Sequence, residues 1–318
     1  MLPNSVAQPG RRLGLQAAAA WAWPFTLGGC AVWPDADHAG AHAPQALPLR
    51  RAPRVAWVLG SGGPRGFVHV GVLKALHELG LQPDLIVGAS VGAMVGTLCA
   101  GGIAMPTLEA LALELQPLAV ARLAVGEQAR YSGSALADFI RWHLGSQPGA
   151  QPGTQPGSGA PARLLEDLPV AMACVAVRQR DAALVAFTAG DAGVAVQASA
   201  AMAGQFTPVR IRGELHIDPD GVAPLPVRVA RALGAQRVLA VDASAHEHSA
   251  PAAAQRFKTS DLRKRALIAP DAQAADLVLH PEFGYWVSFT REFRERAIAA
   301  GYRDTLARAA EVLALHGA

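Results

Sequence analysis

A chain of 318 residues is long enough for one large α/β domain or two small ones. Charged residues are 17%, below the roughly 25% usual in soluble domains, while 51% are hydrophobic, which supports a sizeable core and excludes pervasive disorder. The formal charge is +3, falling to +1 without residues 1–29, whose only charged side chains are Arg11 and Arg12, and so near-neutral a body argues against a nucleic-acid partner.

At the N-terminus, Arg11-Arg12 precede the apolar stretch LGLQAAAAWAWPFTLGG and then Cys30. A short basic region followed by an apolar run too short for a stable span reads as a leader over residues 1–29. The ending Leu27-Gly28-Gly29-Cys30 resembles the bacterial lipobox. That resemblance implies cleavage before Cys30 and a lipid anchor on its thiol, each buried methylene contributing about 0.8 kcal/mol. With Ala31 next, it implies a place in the bacterial cell envelope, on the outer membrane facing the periplasm. Residues 30–53, rich in Ala, Pro and His without periodicity, read as a tether.

The first strand is expected over Arg54–Leu59, followed by a glycine-rich turn. A helix follows from about Pro64 to Leu79, with Val68, Val72, Leu76 and Leu79 on one apolar face and Gly80 as its cap. Asp84–Val87 reads as a second buried strand and Val91–Ala100 as a second helix. This alternation predicts a central, largely parallel sheet between helical layers, a three-layer α/β/α domain over residues 54–318. Gly145 to Ala162 interrupts it with QPG at 147, 151 and 155, the composition of a flexible surface insertion. Strands are expected again at Val170–Val177, Ala183–Thr188, Glu214–Ile217 and Val238–Asp242, and a closing helix at Arg294–Leu315. Cys99 and Cys174 read as buried bystanders, and the basic run Arg256–Arg265 as a solvated helix face.

Gly88-Ala89-Ser90-Val91-Gly92 is a G-x-S-x-G between a strand and a helix. A tight strand-to-helix turn crowds the serine's neighbours, hence glycine on both sides, and holds the hydroxyl at a helix N-terminus. Upstream, Gly60-Ser61-Gly62-Gly63-Pro64-Arg65-Gly66 lacks the dinucleotide fingerprint, since its sixth position is Arg65, but suits an oxyanion hole built from backbone amides.

Together, LGSGGPRGFVHVGVLKAL, then VGASVGAMVG, then the stretch from Phe187 to Ser244 resemble the patatin-like phospholipases, with a motif-bearing core over 54–245. The resemblance implies a Ser–Asp dyad without histidine. Ser90 is the nucleophile, Gly62 and Gly63 are the oxyanion hole, Arg65 and Gly66 support that loop, and Asp218 is the base. It implies hydrolysis of phospholipid or other acyl-ester lipids, with no metal or organic cofactor, at a membrane surface reached through Cys30. The sequence departs from the family where Pro219 follows the aspartate in place of glycine and Ala223 stands for asparagine; Ala203 and Thr207 replace family prolines. Asp220, which precedes Gly221, is the alternative base, but Asp218 keeps the family's distance to Leu225-Pro226-Val227. A degraded aspartate loop leaves one alternative, an inactive patatin-like lipoprotein that binds lipid or a protein partner. A triad of Ser90, Asp242 and His280 has the chain order of another hydrolase fold, whose oxyanion loop follows its third strand, not its first. His69 reads as a packed helix histidine, and His246 and His248 as a solvated pair with only Glu247 nearby.

Overall fold

The computed structural model describes residues 36–116, 119–124, 130–145 and 163–317. The expected leader with Cys30, and the insertion beyond Gly145, lie outside the described residues.

Strands β1 (Val55–Leu59) and β2 (Leu85–Ala89) alternate with helices α1 (Phe67–Glu78) and α2 (Val91–Ala100). Helix α3 (Met105–Glu114), the short strands β3 (Arg122–Leu123) and β4 (Tyr131–Ser132), and α4 (Ser134–Gly145) follow. Next come β5 (Ala171–Arg178), β6 (Ala183–Phe187), α5 (Ala192–Ser199), β7 (Val209–Ile211), β8 (Glu214–Ile217) and α6 (Val227–Ala232). The chain closes with β9 (Arg237–Val241), α7 (Lys258–Ala274), β10 (Leu277–Leu279), α8 (Arg291–Ala307) and α9 (Ala309–His316).

Eight strands form one sheet in the order β10-β9-β1-β2-β5-β8-β7, with β6 also paired to β5. From β10 to β5 every pairing is parallel; β6 and β8 run antiparallel to β5. The period-2 alternation of each strand divides its side chains between two cores. In β1, Val55, Trp57 and Leu59 join the larger core with α1, α2, α4, α5 and α8, while Ala56 and Val58 join the smaller one under α6 and α7. Strand β9 divides the same way, Leu239 and Val241 against Val238 and Ala240.

Three expectations need correction. Residues 37–47 are not a free tether. His38 donates to the Arg210 carbonyl at 2.9 Å and accepts from Arg212, and Gln45 donates to Ala189 at 2.9 Å. His38 lies against β7, the sheet's last strand, and occupies hydrogen-bonding groups that an open edge leaves unpaired, while His42 to Leu47 pair with residues 188–191. Helix α1 begins at Phe67 rather than Pro64, because Gly63–Gly66 winds as a tighter 3-10 turn with Pro64 in its first positions. The closing helix is two, broken at Arg308 (φ −110°, ψ 22°), whose Nη1 donates to the Val278 carbonyl of β10 at 2.6 Å.

Candidate active site

Ser90 occupies a sharp elbow between β2 and α2, at φ 55° and ψ −121°. The positive φ at a non-glycine residue costs on the order of 1–3 kcal/mol and persists only where its surroundings impose it. Here they do. The Ser90 amide donates to Ser199 Oγ at 2.9 Å, and that hydroxyl donates to the Val175 carbonyl at 2.5 Å. Each glycine of the motif has a steric reason: a Cβ on Gly88 would lie 2.4 Å from Ala93 Cα, and one on Gly92 would lie 2.1 Å from the Leu59 carbonyl oxygen. Since that oxygen is backbone at the end of a central strand, Gly92→Ala should lower stability by at least about 1–3 kcal/mol. A urea titration reads it; an unchanged midpoint would mean that the elbow and β1 yield easily.

The register of β5 explains how an aspartate reaches this serine. Strand β2 lies on one edge of β5 and ends with Ala89 opposite Val175, while β6 occupies the other edge from Cys174 to Arg178. Strand β8 therefore lies on the β2 side, beyond the point where β2 stops, with Ile217 opposite Val177. Carrying each register one residue further brings both Ser90 and Asp218 level with Ala176, from opposite directions.

Asp218 is 7% exposed, and its Oδ1 accepts the Asp220 amide at 2.8 Å. Its Oδ2 is buried without a hydrogen-bond partner of full geometry, although the Ser90 side chain is close enough to favour the charged carboxylate. Burial is the larger influence and pushes the carboxyl up to about 6. Asp220 turns elsewhere: Ser61 Oγ donates to it, and Lys264 pairs with it at 2.6 Å. The proline after Asp218 is accommodated. Asp218 has φ −57° and ψ 135°, the extended conformation that a following proline favours, and Pro219 opens a 3-10 turn.

The glycine loop faces the same serine. Gly63 (φ 53°) and Ser90 line one cavity, and a Cβ on Gly66 would lie 2.2 Å from Val91 Cγ1, so loop and elbow are in close contact. Gly60 donates to Val241, Ser61 to Pro224 and Arg65 to Gly62. Among the described residues, no acceptor engages the amides of Gly62 and Gly63. Arg65 is buried and spans outward from the loop: Nε donates to Ala243 O at 3.1 Å, Nη1 to Gly284 O and Tyr285 O at 3.0 Å, and the guanidinium lies 4.4 Å from the Phe283 ring centre. The cavity, about 240 Å³, is walled by Met94, Leu98, Leu108, Phe139 and Phe206. Phe289 lines it as well and is 55% exposed, which marks the mouth.

The other candidates are bound elsewhere. His69 donates to the Gly60 carbonyl at 2.8 Å, and burial pushes its imidazole down to about 4, so it is a neutral pin at the start of the loop. Asp242 pairs with Arg265 at 3.0 Å, and His280 Nε2 donates to Ser244 O at 3.0 Å, so neither is committed to Ser90. The basic run on α7 is only partly a solvated face, because Lys264 and Arg265 pair with Asp220 and Asp242 across the α7 face of the sheet. Sequence reasoning missed Ser61, Ser199 and Lys264, which carry no motif of their own. It also named Glu247 as the one carboxylate near His246 and His248, whereas Glu247 pairs with Arg265 and Glu282 lies beside His246.

A mainly parallel sheet between helical layers, with a serine on a strand-to-helix elbow beside a glycine loop, defines an α/β/α protein. The sequence profile of the patatin-like phospholipases matches residues 57–231, more than half of the chain, and the chain belongs to that family. An uncharacterised NTE family protein of Mycobacterium tuberculosis is 30% identical over 210 residues, 64% of this chain and 54% of its own. A lysophospholipase of Saccharomyces cerevisiae is 28% identical over 201 residues, 61% of this chain and 11% of its own. The chain thus spans about half the length of its mycobacterial relatives. Among solved structures, VipD from Legionella pneumophila superposes with a TM-score of 0.52 at 14% identity, covering 86% of this chain and 70% of that one, a likeness of fold.

Proposed function

We propose that this protein is a serine acyl hydrolase that cleaves acyl-ester lipids, phospholipid or lysophospholipid, with Ser90 and Asp218 as its dyad. The observation that carries the reading is the register of β5, which levels Ser90 with Asp218 beside a glycine loop whose Gly63 lines the same cavity as Ser90. Asp218 takes the proton from Ser90 Oγ as that oxygen attacks the ester carbonyl. The amides of Gly62 and Gly63 hold the resulting oxyanion, an interaction typically worth about 100–1,000-fold in rate per donor. The proton passes from Asp218 to the leaving alcohol, and water then releases the acyl group from Ser90 by the same route in reverse. A carboxyl at about 6 is mostly ionised at neutral pH and still basic enough to share a serine proton. The apolar walls of the cavity suit an acyl chain, and exposed Phe289 at its mouth suits entry from a lipid surface.

The test is a fluorophosphonate probe followed by lipid profiling of vesicles. Labelling of the parent chain at Ser90 with release of fatty acid supports the reading. Failure to label would leave the inactive, lipid- or partner-binding descendant as the better account.

We further propose that the chain is held at the bacterial outer membrane, facing the periplasm, through acylated Cys30, on the strength of the Leu27–Cys30 sequence. Cys30→Ser should abolish incorporation of labelled fatty acid and leave the leader in place. Continued incorporation would locate the lipid elsewhere.

A further inference from the structure

Strands β9 and β10 are parallel neighbours, so the loops leaving their C-terminal ends emerge side by side. The β9 loop carries His246 and His248, and the β10 loop carries His280 and Glu282. One donor atom from each of His246, His248 and Glu282 lies within 4.8 Å of the other two.

The protons around His246 make this more than proximity. Its Nε2 lies 3.3 Å from the Pro281 carbonyl oxygen, which can only accept, so Nε2 carries the proton. The lone pair of Nδ1 then faces Glu282 Oε2 at 3.3 Å. A lone pair against a carboxylate is repulsive unless a positive charge stands between them, and that charge is either a second proton or a metal ion. The ring is held for the purpose: its face stacks on His280 at 3.6 Å and 12°, and His280 is itself tied to Ser244 O. Arg265, which reaches His280, is offset by Asp242 and Glu247, and Arg303 donates to the Glu282 carbonyl rather than to its carboxylate.

We propose that His246 Nδ1, His248 and Glu282 bind a divalent transition-metal ion of the zinc type. Two imidazoles and one carboxylate form a borderline donor set, suited to zinc and unlike the all-oxygen shells of calcium and magnesium. The Pro281 carbonyl behind His246 is the outer-shell acceptor that a ligating imidazole requires. Zinc–ligand distances of about 2.0–2.2 Å call for a tighter triangle than 4.8 Å. His248 and Glu282 are exposed, so side-chain rotation can tighten the triangle, at the cost for Glu282 of the 3.4 Å hydrogen bond from Ser249 Oγ.

The place of the site gives it a consequence. Arg65 donates to Ala243 O on the β9 loop and to Gly284 O and Tyr285 O on the β10 loop. An ion held by His246 and His248 from one loop and Glu282 from the other ties together the two supports of Arg65, and through it the Gly62–Gly63 turn. The metal is a clamp and takes no part in bond making. Binding stands independently of the hydrolase reading; only an effect on turnover rests on it.

The full chain, prepared with a chelator and without a histidine tag, is titrated with Zn²⁺ by calorimetry and with Co²⁺ by visible absorption. One equivalent should bind, and His246→Ala, His248→Ala and Glu282→Gln should each weaken binding at least about tenfold. Zn²⁺ should raise the Tm of the parent and not that of His248→Ala, whose exposed ring leaves the apo fold unchanged and keeps the test valid if His246→Ala folds poorly. Absence of binding would mean that a proton supplies the charge, and the proposal fails. It fails equally if the three variants bind as the parent does, or if Co²⁺ gives a thiolate charge-transfer band, which places the ion on cysteine. Burial pushes the Cys99 thiol up to about 11 and the Cys174 thiol to about 12, so neither should compete at neutral pH.

Discussion

Asp218→Asn should lower turnover at least about 100-fold, the lower range for removal of a general base, while Asp220→Asn should lose far less. Both residues are carboxylates on one short turn, and the difference lies in where each points. Asp218 follows β8 directly and arrives level with Ser90 across β5. Asp220 is occupied by Ser61 and Lys264 on the other side of the turn. The pH profile supplies a second readout. With its carboxyl pushed up to about 6, Asp218 loses its basic form as pH falls below that value, so turnover on a soluble ester should fall about tenfold per unit below pH 6. The same group works against stability. A carboxyl whose folded value lies above the ordinary 3.8 binds its proton more tightly in the folded state, so its contribution is favourable at low pH and is lost as pH rises from about 4 through 6. Asp218→Asn should therefore be more stable than the parent at pH 7, by on the order of 2–3 kcal/mol, with the gain fading toward pH 4. Equal losses of turnover in the two variants, or a gain that persists at pH 4, would overturn the assignment.

Ser90→Ala should reduce ester turnover and fluorophosphonate labelling to the uncatalysed background while leaving the chain folded. The hydroxyl is not what holds the elbow: the Ser90 amide and carbonyl are, through Ser199 Oγ and the amides of Ala93 and Met94. A comparison of two inactive variants isolates the strain. Alanine retains a Cβ at φ 55°, whereas glycine tolerates that region, so Ser90→Gly should melt above Ser90→Ala. Relief of about 1–3 kcal/mol of backbone strain is opposed by roughly 0.4–1 kcal/mol from the freer unfolded glycine chain. If Ser90→Ala keeps full activity, the nucleophile lies elsewhere; if glycine melts below alanine, the elbow is not strained.

Much of this site is local and was legible in the residues. A nucleophile elbow must turn within a few residues, so its glycines appear as a spaced motif, and the short unbroken apolar runs of strands buried on both faces mark the sheet on either side of it. Strand β1, expected over Arg54–Leu59 and found over Val55–Leu59, was readable for the same reason, because an apolar run is a property of neighbours in the chain. The distance from Asp218 to Leu225-Pro226-Val227 likewise favoured Asp218, the carboxylate that lies level with Ser90, over the more literal Asp-Gly pair. Tertiary structure decided what depends on partners far apart in sequence. The pairing of β8 with β5, on the edge that β2 vacates, levels Asp218 with Ser90, and nothing in residues 214–218 encodes which edge of β5 that is. Ala-rich residues 37–47 look featureless because most of their order comes from backbone pairing with β7 and with residues 188–191, distant in sequence. His246 met Glu282 rather than its neighbour Glu247 because parallel strands bring their loops together in space, while Glu247 opens a 3-10 turn and pairs with Arg265.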